Sequence, residues 1–287
     1  MDLAQPGTID DLVTDARAEG YQATTRLITD WVSLGLLDRP RRQPRGRGLG
    51  SSKALYAPHQ RKLFLTLLAK RAKASRVTSL APIPVFIWLY WGDEFVPLRQ
   101  ARRALMTWLK ANEVSNRKRA RAQARLLLGQ LDHPAAAPPA RRELVDAMAE
   151  VAYTGRADPS RLEAVVREVF EPDGVRRELG HPAALLTVES VLRLIDARLA
   201  AVSALKAGKV TDGQFAETRQ AHLMAAADYA ASQRELAMQA PPHLTNFYEP
   251  LTLQSTFDSC CVDLLSIMGL QLNSRPPTSG TATDATV

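Results

Sequence analysis

Apolar residues recur every three to four positions through most of this chain, a spacing that is typical of amphipathic helices. The first such stretch follows Thr8, whose side chain can cap a helix, and it stops at Gly20. Its apolar face consists of Ile9, Leu12, Val13 and Ala16. The pattern therefore predicts a first helix between Thr8 and Gly20.

A second helix is predicted to begin near Thr24 or Thr25 and to end at Gly35. Its apolar positions are Leu27, Ile28, Trp31, Val32 and Leu34. Only about four residues separate the two predicted helices, which is the length of turn that a helix-turn-helix requires.

An arginine- and glycine-rich segment follows at residues 39–50, where Pro40 and Pro44 disfavour regular structure. Residues 54–56 are suited to the returning strand of a small hairpin wing, and a third helix is predicted from about Pro58. We expect the basic side chains of this third helix to stay exposed to solvent: Arg61, Lys62, Lys70, Arg71 and Lys73.

The apolar stretch at residues 82–91 is compatible with a buried strand or with a short helix after Pro84. Its aromatic residues, together with Phe95, are expected to pack in a core, and a small-molecule pocket is the alternative. The predicted aromatic set is Phe86, Trp88, Tyr90, Trp91 and Phe95.

A basic helix is predicted at residues 116–131, and its arginines could contact a nucleic-acid backbone or simply form a solvated face. A proline-rich linker follows at 132–139. Further helices are predicted at about 140–154, 159–171, 183–207, 212–239 and 255–271. Thr211 and Gln214 have capping-box spacing, and we expect the helices on either side of Gly208 to form an antiparallel hairpin.

These elements predict an all-α protein with a small β wing. We expect a winged helix-turn-helix at residues 1–75 and a basic helical connector at 76–131. A helical oligomerisation or effector domain is predicted at 140–273, and the small, polar residues 274–287 are predicted to be disordered.

Charge is distributed unevenly along the chain. Residues 1–125 contain 23 Lys/Arg and 10 Asp/Glu, a net charge of +13, whereas residues 126–287 contain 14 and 20, a net charge of −6. Between Arg39 and Arg76 there are twelve basic residues and no acidic one. This asymmetry favours a polyanionic partner for the N-terminal part. A basic face that is only solvated would leave unexplained the glycines that alternate with the arginines. An acidic membrane surface is the other alternative, but the basic residues are not accompanied by an amphipathic helix with a broad apolar face.

The spacing of the two cysteines and the N-terminal sequence both indicate that the protein stays in a reducing compartment. Cys260 and Cys261 are adjacent, a spacing that suits neither a disulfide scaffold nor a zinc site. The first residues lack the basic and apolar regions of a signal peptide, and no apolar run is long enough to span a bilayer. We therefore expect a cytoplasmic protein that does not insert in a membrane.

No catalytic pattern is present in the sequence. There is no nucleophile elbow, phosphate-binding loop or metalloprotease motif, and the five histidines are scattered. Glu143 and Glu150 can share a helix face, but no His or Cys is placed to join them. We expect neither an enzyme nor a bound cofactor or metal.

The N-terminal features resemble the MerR-type winged helix-turn-helix. The resemblance consists of an aromatic-containing helix before Gly35-Leu36-Leu37, an arginine-rich loop, and Tyr56 ahead of the next helix. It covers about residues 8–75, and the C-terminal part shows no such resemblance. Excision factors of phages and mobile elements resemble the same fold, so regulators and recombination cofactors both remain open.

Two positions depart from that family's pattern. The usual Arg-Tyr-Tyr-Glu is replaced by residues 29–32, Thr-Asp-Trp-Val, so that Trp31 fills the aromatic position while the DNA-contacting arginine is missing. Arg26, one turn earlier, is a candidate substitute. The basic residue normally two positions before the tyrosine is Ala54, with Lys53 beside it.

The resemblance implies that the first turns of the second helix meet base edges and that the loop contacts the DNA backbone or minor groove. Only Arg26 can pair bidentately with guanine, and Thr24 or Thr25 is equally suited to capping the helix. The predicted DNA-binding residues are Thr24, Thr25, Arg26, Thr29, Arg41, Arg42, Arg45, Arg47, Lys53, Arg61 and Lys62.

The function expected from the sequence is sequence-specific binding of double-stranded DNA by a transcriptional regulator. A homodimer is expected, with the helical hairpin at 187–239 as its dimer or effector surface. The alternatives are a DNA-architectural or recombination accessory factor, and a module whose basic half binds an acidic protein. The identity of any effector stays open.

Overall fold

The structure is a computed structural model that describes residues 3–42, 53–73, 76–114, 116–179, 185–239 and 250–274. Eleven α-helices lie in the described residues, together with a short 3-10 helix at Val77–Leu80. The helices are α1 (Ile9–Ala18), α2 (Thr25–Ser33), α3 (Pro58–Arg71), α4 (Pro82–Trp91), α5 (Leu98–Asn112), α6 (Arg117–Leu131), α7 (Pro138–Thr154), α8 (Pro159–Phe170), α9 (Val188–Lys206), α10 (Asp212–Gln239) and α11 (Leu253–Ser274). The expectation of an all-α protein is confirmed.

The chain divides into two compact units. The first contains residues 1–113, 223–230 and 250–263, and the second contains 114–222, 231–249 and 264–287. Helices α10 and α11 therefore contribute residues to both units.

Helices α1, α2 and α3 start where their capping residues predict. Thr8 and Asp11 form a capping box at α1, and the Thr24 hydroxyl accepts a hydrogen bond of 3.2 Å from the Leu27 amide at the start of α2. Pro58 supplies the first turn of α3, where its missing N–H costs nothing. The core between these helices consists of Leu12, Ala16, Ile28, Trp31, Leu63, Phe64 and Leu67.

The segment between α2 and α3 forms two isolated β-bridges. Arg41 N donates to Leu55 O at 2.8 Å, and Leu55 N donates to Arg41 O at 2.9 Å. Gly7 pairs with Tyr56 in the same antiparallel manner. Within the described residues these bridges do not extend into a sheet, so the predicted β wing is not confirmed. Residues 43–52 lie outside the described residues.

The chain leaves α2 through a tight turn at Gly35, which packs against the backbone of α5. Gly35 has a φ of 75°, and an added Cβ would lie 2.6 Å from Arg103 Cβ and 2.7 Å from Arg103 C. The Thr107 hydroxyl donates a hydrogen bond of 2.8 Å to Leu34 O on the same side. Glycine is therefore required both for the left-handed backbone and for the close approach.

A buried polar network follows that turn directly and ties it to α3 and α5. Asp38 N donates to Gln60 Oε1 at 2.8 Å, and Gln60 Nε2 donates to Gln100 Oε1 at 2.9 Å. Gln100 Nε2 donates to Leu36 O at 3.0 Å, which closes the connection to the turn. Arg99 holds the Asp38 carboxylate with two hydrogen bonds of 3.0 and 2.6 Å. Gln60 and Gln100 are buried, so each amide group needs these partners.

Residues 82–91 form a helix, α4, rather than a strand. The N–H groups of the first turn have no partner within a helix, so the two prolines there cost no internal hydrogen bond, and Gly92 ends the helix with a φ of 78°. Phe86 and Trp88 are buried, as expected of core residues, whereas Trp91 and Phe95 are exposed. The Phe86 ring contacts Phe257 of α11 edge-on, with centroids 5.6 Å apart.

In the second unit, α7 packs against both α6 and α8, and α8 packs against α9. Its main core consists of Leu131, Leu144, Ala147, Leu162, Val165, Val166, Val169, Phe170, Leu179, Val188 and Val191. Helix α11 approaches α9 so closely that a Cβ on Gly269 would overlap main-chain atoms of Ala197. The predicted capping box is confirmed by hydrogen bonds between Thr211 and Gln214 of 2.8 and 3.2 Å.

We predict that Gly35→Ala destabilises the protein by about 3 kcal/mol, because the new methyl group adds a backbone clash to left-handed strain. Gly20→Ala is the matched control, since Gly20 has a φ of 78° but no heavy atom within 4 Å of an added Cβ. The control should lose only about 1 kcal/mol of unfolding free energy. Urea denaturation measures both, and equal losses would contradict the packing of Gly35 against α5.

We predict that Asp38→Asn reduces the acid sensitivity of folding. Burial raises the pKa of Asp38, but hydrogen bonds from Arg99 and the Arg39 backbone, with the nearby charge of Arg103, lower it below the usual value. A carboxylate whose folded pKa is lowered stabilises the fold above its unfolded pKa of about 3.9, and this contribution disappears as the pH falls through the folded value.

The unfolding free energy should be measured from neutral pH down to about pH 3. Asp38→Asn should be less stable near neutral pH and should lose less stability than the wild type on acidification. Asp30→Asn is the control, because Asp30 is exposed on α2. If the unfolding free energy of Asp38→Asn falls as steeply with decreasing pH as that of the wild type, the prediction is wrong.

Candidate nucleic-acid interface

The exposed face of α2 carries three of the residues predicted to read DNA. Thr25, Arg26 and Thr29 are exposed, while Ile28 and Trp31 on the opposite face are buried. The packing of Trp31 edge-on against Phe64, with centroids 5.5 Å apart, fixes which face points outward. Arg26 has no ion-pair partner among the described residues. Its guanidinium is thus available to an external acceptor.

Thr24 and Thr29 also form hydrogen bonds within α2. Thr24 is the N-cap of α2, which decides between the two candidates, and its side chain is exposed. The Thr29 hydroxyl donates to Thr25 O at 3.0 Å, one turn earlier. A hydroxyl can accept a second hydrogen bond while it donates, so Thr24 and Thr29 still offer polar atoms at the surface.

Basic residues flank both ends of the loop that follows α2. Arg41, Arg42 and Lys53 are exposed beside the bridge at the base of this loop, and Lys62 is exposed on α3. None of these four forms an ion pair within the described part of the chain. Arg45 and Arg47, also predicted to contact DNA, lie outside the described residues.

Arg61 corrects the sequence-based expectation. It was expected to be exposed, yet its side chain is only 8% exposed and is bound to Asp15, with Nε and Nη2 each 2.8 Å from a carboxylate oxygen. Its Nη1 also donates to Gln5 O at 2.7 Å. Because all three contacts face inward, Arg61 joins α1 to α3 and is not available to DNA in this conformation.

A concave surface beside the start of α2 contains two arginines that the sequence analysis did not assign to DNA. It has a volume of about 640 Å³ and is lined by Arg17, Tyr21, Thr24 and Arg71, among others. The Arg71 guanidinium lies over the Trp31 ring, 6.0 Å from its centroid, a cation–π arrangement that orients the group. Arg17 could be found only from tertiary structure, since it lies on α1, outside both the loop and α2.

Asp30 is the one feature of this face that disfavours phosphate. It is exposed on α2, one turn after Arg26, and it forms no ion pair with the described residues. Its position four residues after Arg26 places the two side chains on adjacent turns. Asp30 is therefore expected to repel a phosphate group at that end of the helix.

Two arginines of the second unit are in a different electrostatic state. Arg161 is bound to Glu143 and Glu150, at 2.8 and 2.7 Å, and Arg167 is bound to three glutamates. Glu143 and Glu150 do share one surface, as their spacing suggests, but their partner is this arginine. The protein itself therefore neutralises Arg161 and Arg167, whereas Arg26 has no such partner among the described residues.

The second predicted basic cluster lies on α6. Arg121 is bound to Asp146 of α7 at 2.9 Å, and the Arg117 guanidinium lies 5.7 Å from the centroid of the Tyr153 ring. Ala120 and Ala124 are buried against α7. The basic cluster therefore lies on a helix whose other side packs against α7.

A cavity of about 400 Å³ at the base of the arginine-rich loop has no excess of positive charge. Its ionisable lining residues are Asp38, Arg39, Arg41, His59, Asp93 and Glu94. Burial lowers the pKa of His59, so its imidazole is neutral near neutral pH. Three carboxylates face two arginines here, and the cavity therefore does not select an anion.

The described residues contain neither a candidate metal site nor a candidate membrane span. No group of three or more His, Cys, Asp or Glu side chains there could hold a metal ion. Likewise, none of the helices described is both long and apolar enough to cross a membrane.

We predict that Arg61→Ala lowers the unfolding free energy by about 3–5 kcal/mol, because it leaves the Asp15 carboxylate buried without a partner. Lys62→Ala, at the adjacent exposed position, should change it by less than about 0.5 kcal/mol. Thermal or urea unfolding of the two variants measures the difference. A mild effect of Arg61→Ala would show that the arginine is free to leave Asp15.

Comparison with known proteins gave no match to a family model, a curated protein or a solved structure. The MerR-type resemblance therefore depends on the residues quoted for it. The structure adds that five of the basic residues named above are exposed on α2, at the base of the loop that follows it and on α3, without an ion-pair partner among the described residues: Arg26, Arg41, Arg42, Lys53 and Lys62. We refer to these residues below as the α2 surface. The function is inferred from that surface.

Proposed function

We propose that the protein binds double-stranded DNA through the α2 surface and acts as a sequence-specific transcriptional regulator. The observation that carries the proposal is an exposed helix face whose arginine has no ion-pair partner among the described residues, beside a loop base with further unpaired cations. A polyanion neutralises such a surface and gains affinity through release of counterions.

The arrangement separates two tasks that DNA recognition requires. Arg26, exposed in the first turn of α2, is proposed to read a base edge, and a bidentate contact to guanine discriminates by about 1–3 kcal/mol. Arg41, Arg42 and Lys53 surround the loop and suit phosphates or a narrow minor groove, contacts that set position and affinity. Because Arg26 is the only such reader in the described helix face, much of the affinity is expected to come from the loop.

As a regulator, the protein is proposed to act as a homodimer on a two-fold site. Two copies double the contact set, and their half-sites would lie about one helical turn apart. Helices α9 and α10 remain the proposed dimer or effector surface. Sedimentation of the protein with and without a selected duplex would measure this stoichiometry.

We predict that loop and helix substitutions affect DNA binding differently. Arg41→Ala or Arg42→Ala should weaken binding to every duplex by about two- to fivefold and reduce the slope of log K against log salt by about one unit. Arg26→Ala should remove the preference for guanine at one position of the site. Arg156→Ala is the control, since Arg156 is exposed in the second unit and distant in sequence.

The measurement has two parts. Selection from randomised duplexes identifies the preferred site for the wild type and for Arg26→Ala, and fluorescence anisotropy over a range of salt gives affinities and slopes. If neither Arg26→Ala nor Arg41→Ala alters DNA binding at moderate salt, the proposal is wrong.

The two alternatives predict different results in the same assays. An architectural or recombination factor would bend the duplex, which circularly permuted fragments reveal as position-dependent mobility, and it would alter excision in a recombination assay. A module that binds an acidic protein would show little affinity for duplex DNA at physiological salt. Binding to a preferred DNA sequence without bending of the duplex would favour a transcriptional regulator.

A further inference from the structure

A groove lined by α6 and α7 in the second unit combines an apolar floor with a cationic rim. Its volume is about 450 Å³, and Leu128 and Val145 supply the apolar part. The charged residues that line it are Arg121, Arg125, Arg141, Arg142 and Asp146. We refer to this surface as the arginine groove.

Helix packing explains why these arginines share one side. Ala120 and Ala124 are small and buried, so α6 lies close to α7 along that line. Arg121 and Arg125 each follow one of these alanines in sequence and are one helical turn apart, which places them on the same edge of α6. The packing therefore produces a row of guanidinium groups beside the apolar floor.

Internal ion pairs neutralise only part of this charge. Arg121 is bound to Asp146 at 2.9 Å, and Arg141 is bound to Asp132 at 2.6 Å. Arg125 and Arg142 are exposed and have no ion-pair partner in the described part of the chain. Four arginines against two aspartates leave a charge of +2 at the groove.

We propose that the arginine groove is a docking site for an acidic segment of a partner protein, in which carboxylates flank at least one apolar side chain. The carboxylates would bind Arg125 and Arg142, whose planar guanidinium groups match carboxylate geometry. The apolar side chain would cover Leu128 and Val145. The groove lies in the second unit, so the proposal does not depend on DNA binding by the α2 surface.

The composition of the groove favours a peptide over a nucleic acid. A phosphodiester backbone consists of charged phosphates and polar sugars, so it offers little apolar surface to cover the floor. Arg125 and Arg142 are the groove arginines without an ion-pair partner in the described part of the chain, and two carboxylates of one peptide can face them. A single acidic peptide with an apolar residue would therefore contact both the arginines and the apolar floor.

The test is selection of a displayed random-peptide library against the full-length protein. It uses the wild type, a groove variant with Arg125→Glu and Arg142→Glu, and a control variant with Lys118→Glu and Arg119→Glu. The control makes the same charge change at exposed positions of α6 that do not line the groove. Circular dichroism melting checks that each variant folds, and Arg125→Gln with Arg142→Gln replaces the groove variant if it does not.

We expect the wild type and the control to enrich peptides that combine Asp or Glu with an apolar residue, and the groove variant not to enrich them. A synthetic peptide from that set should bind the groove variant at least about tenfold more weakly than the wild type or the control. Replacing its apolar residue by serine should also weaken binding to the wild type.

Two outcomes would overturn the proposal. One is that the wild type enriches no acidic peptides beyond those of the groove variant, or that the control variant loses them equally. The other is that the groove variant loses affinity for duplex DNA while peptide binding is unchanged, which would make the groove a nucleic-acid contact. Loss of DNA binding by Arg26→Ala and Arg41→Ala is scored separately, so the two proposals can fail independently.

Discussion

The buried amide pair of Gln60 and Gln100 is the constraint on which the first unit depends. It binds the chain where it leaves α2, through Asp38 N and Leu36 O, and it does so from α3 and α5. Neither amide could be buried without its partners, because each unsatisfied group would cost about 1–3 kcal/mol. The chain that follows α2 is therefore held by α3 and α5, while the packing of Trp31 against Phe64 sets which face of α2 points outward.

Arginine has three distinct physical states in this protein, and residue type alone does not distinguish them. Arg61 is buried against a carboxylate, Arg161 is exposed but neutralised by two glutamates, and Arg26 is exposed without such a partner. Only the third state leaves charge for an external anion. A count of basic residues therefore overestimates the cationic surface, and the tertiary partner of each side chain corrects it.

Local signals predicted the helices well, because capping and proline effects act within a few residues. Thr8, Thr24 and Pro58 each mark the observed start of a helix. The burial of Arg61 could not be predicted, since Asp15 is 46 residues away in sequence and its approach depends on how α1 packs. The exposed face of α2 was predictable from the spacing of its apolar residues. Arg17 and Arg71 lie beside the start of α2 only in the folded protein, because they belong to α1 and α3.

The bridge between Arg41 and Leu55 closes the arginine-rich segment through main-chain atoms alone. Such a closure places no demand on the side chains that lie between its ends. Closure entropy also grows slowly with length, by about 0.6 kcal/mol for each doubling. Insertions and composition changes in residues 43–52 should consequently be tolerated by the helical core. The part of the protein that we expect to contact its partner can therefore diverge while the fold that presents it is retained.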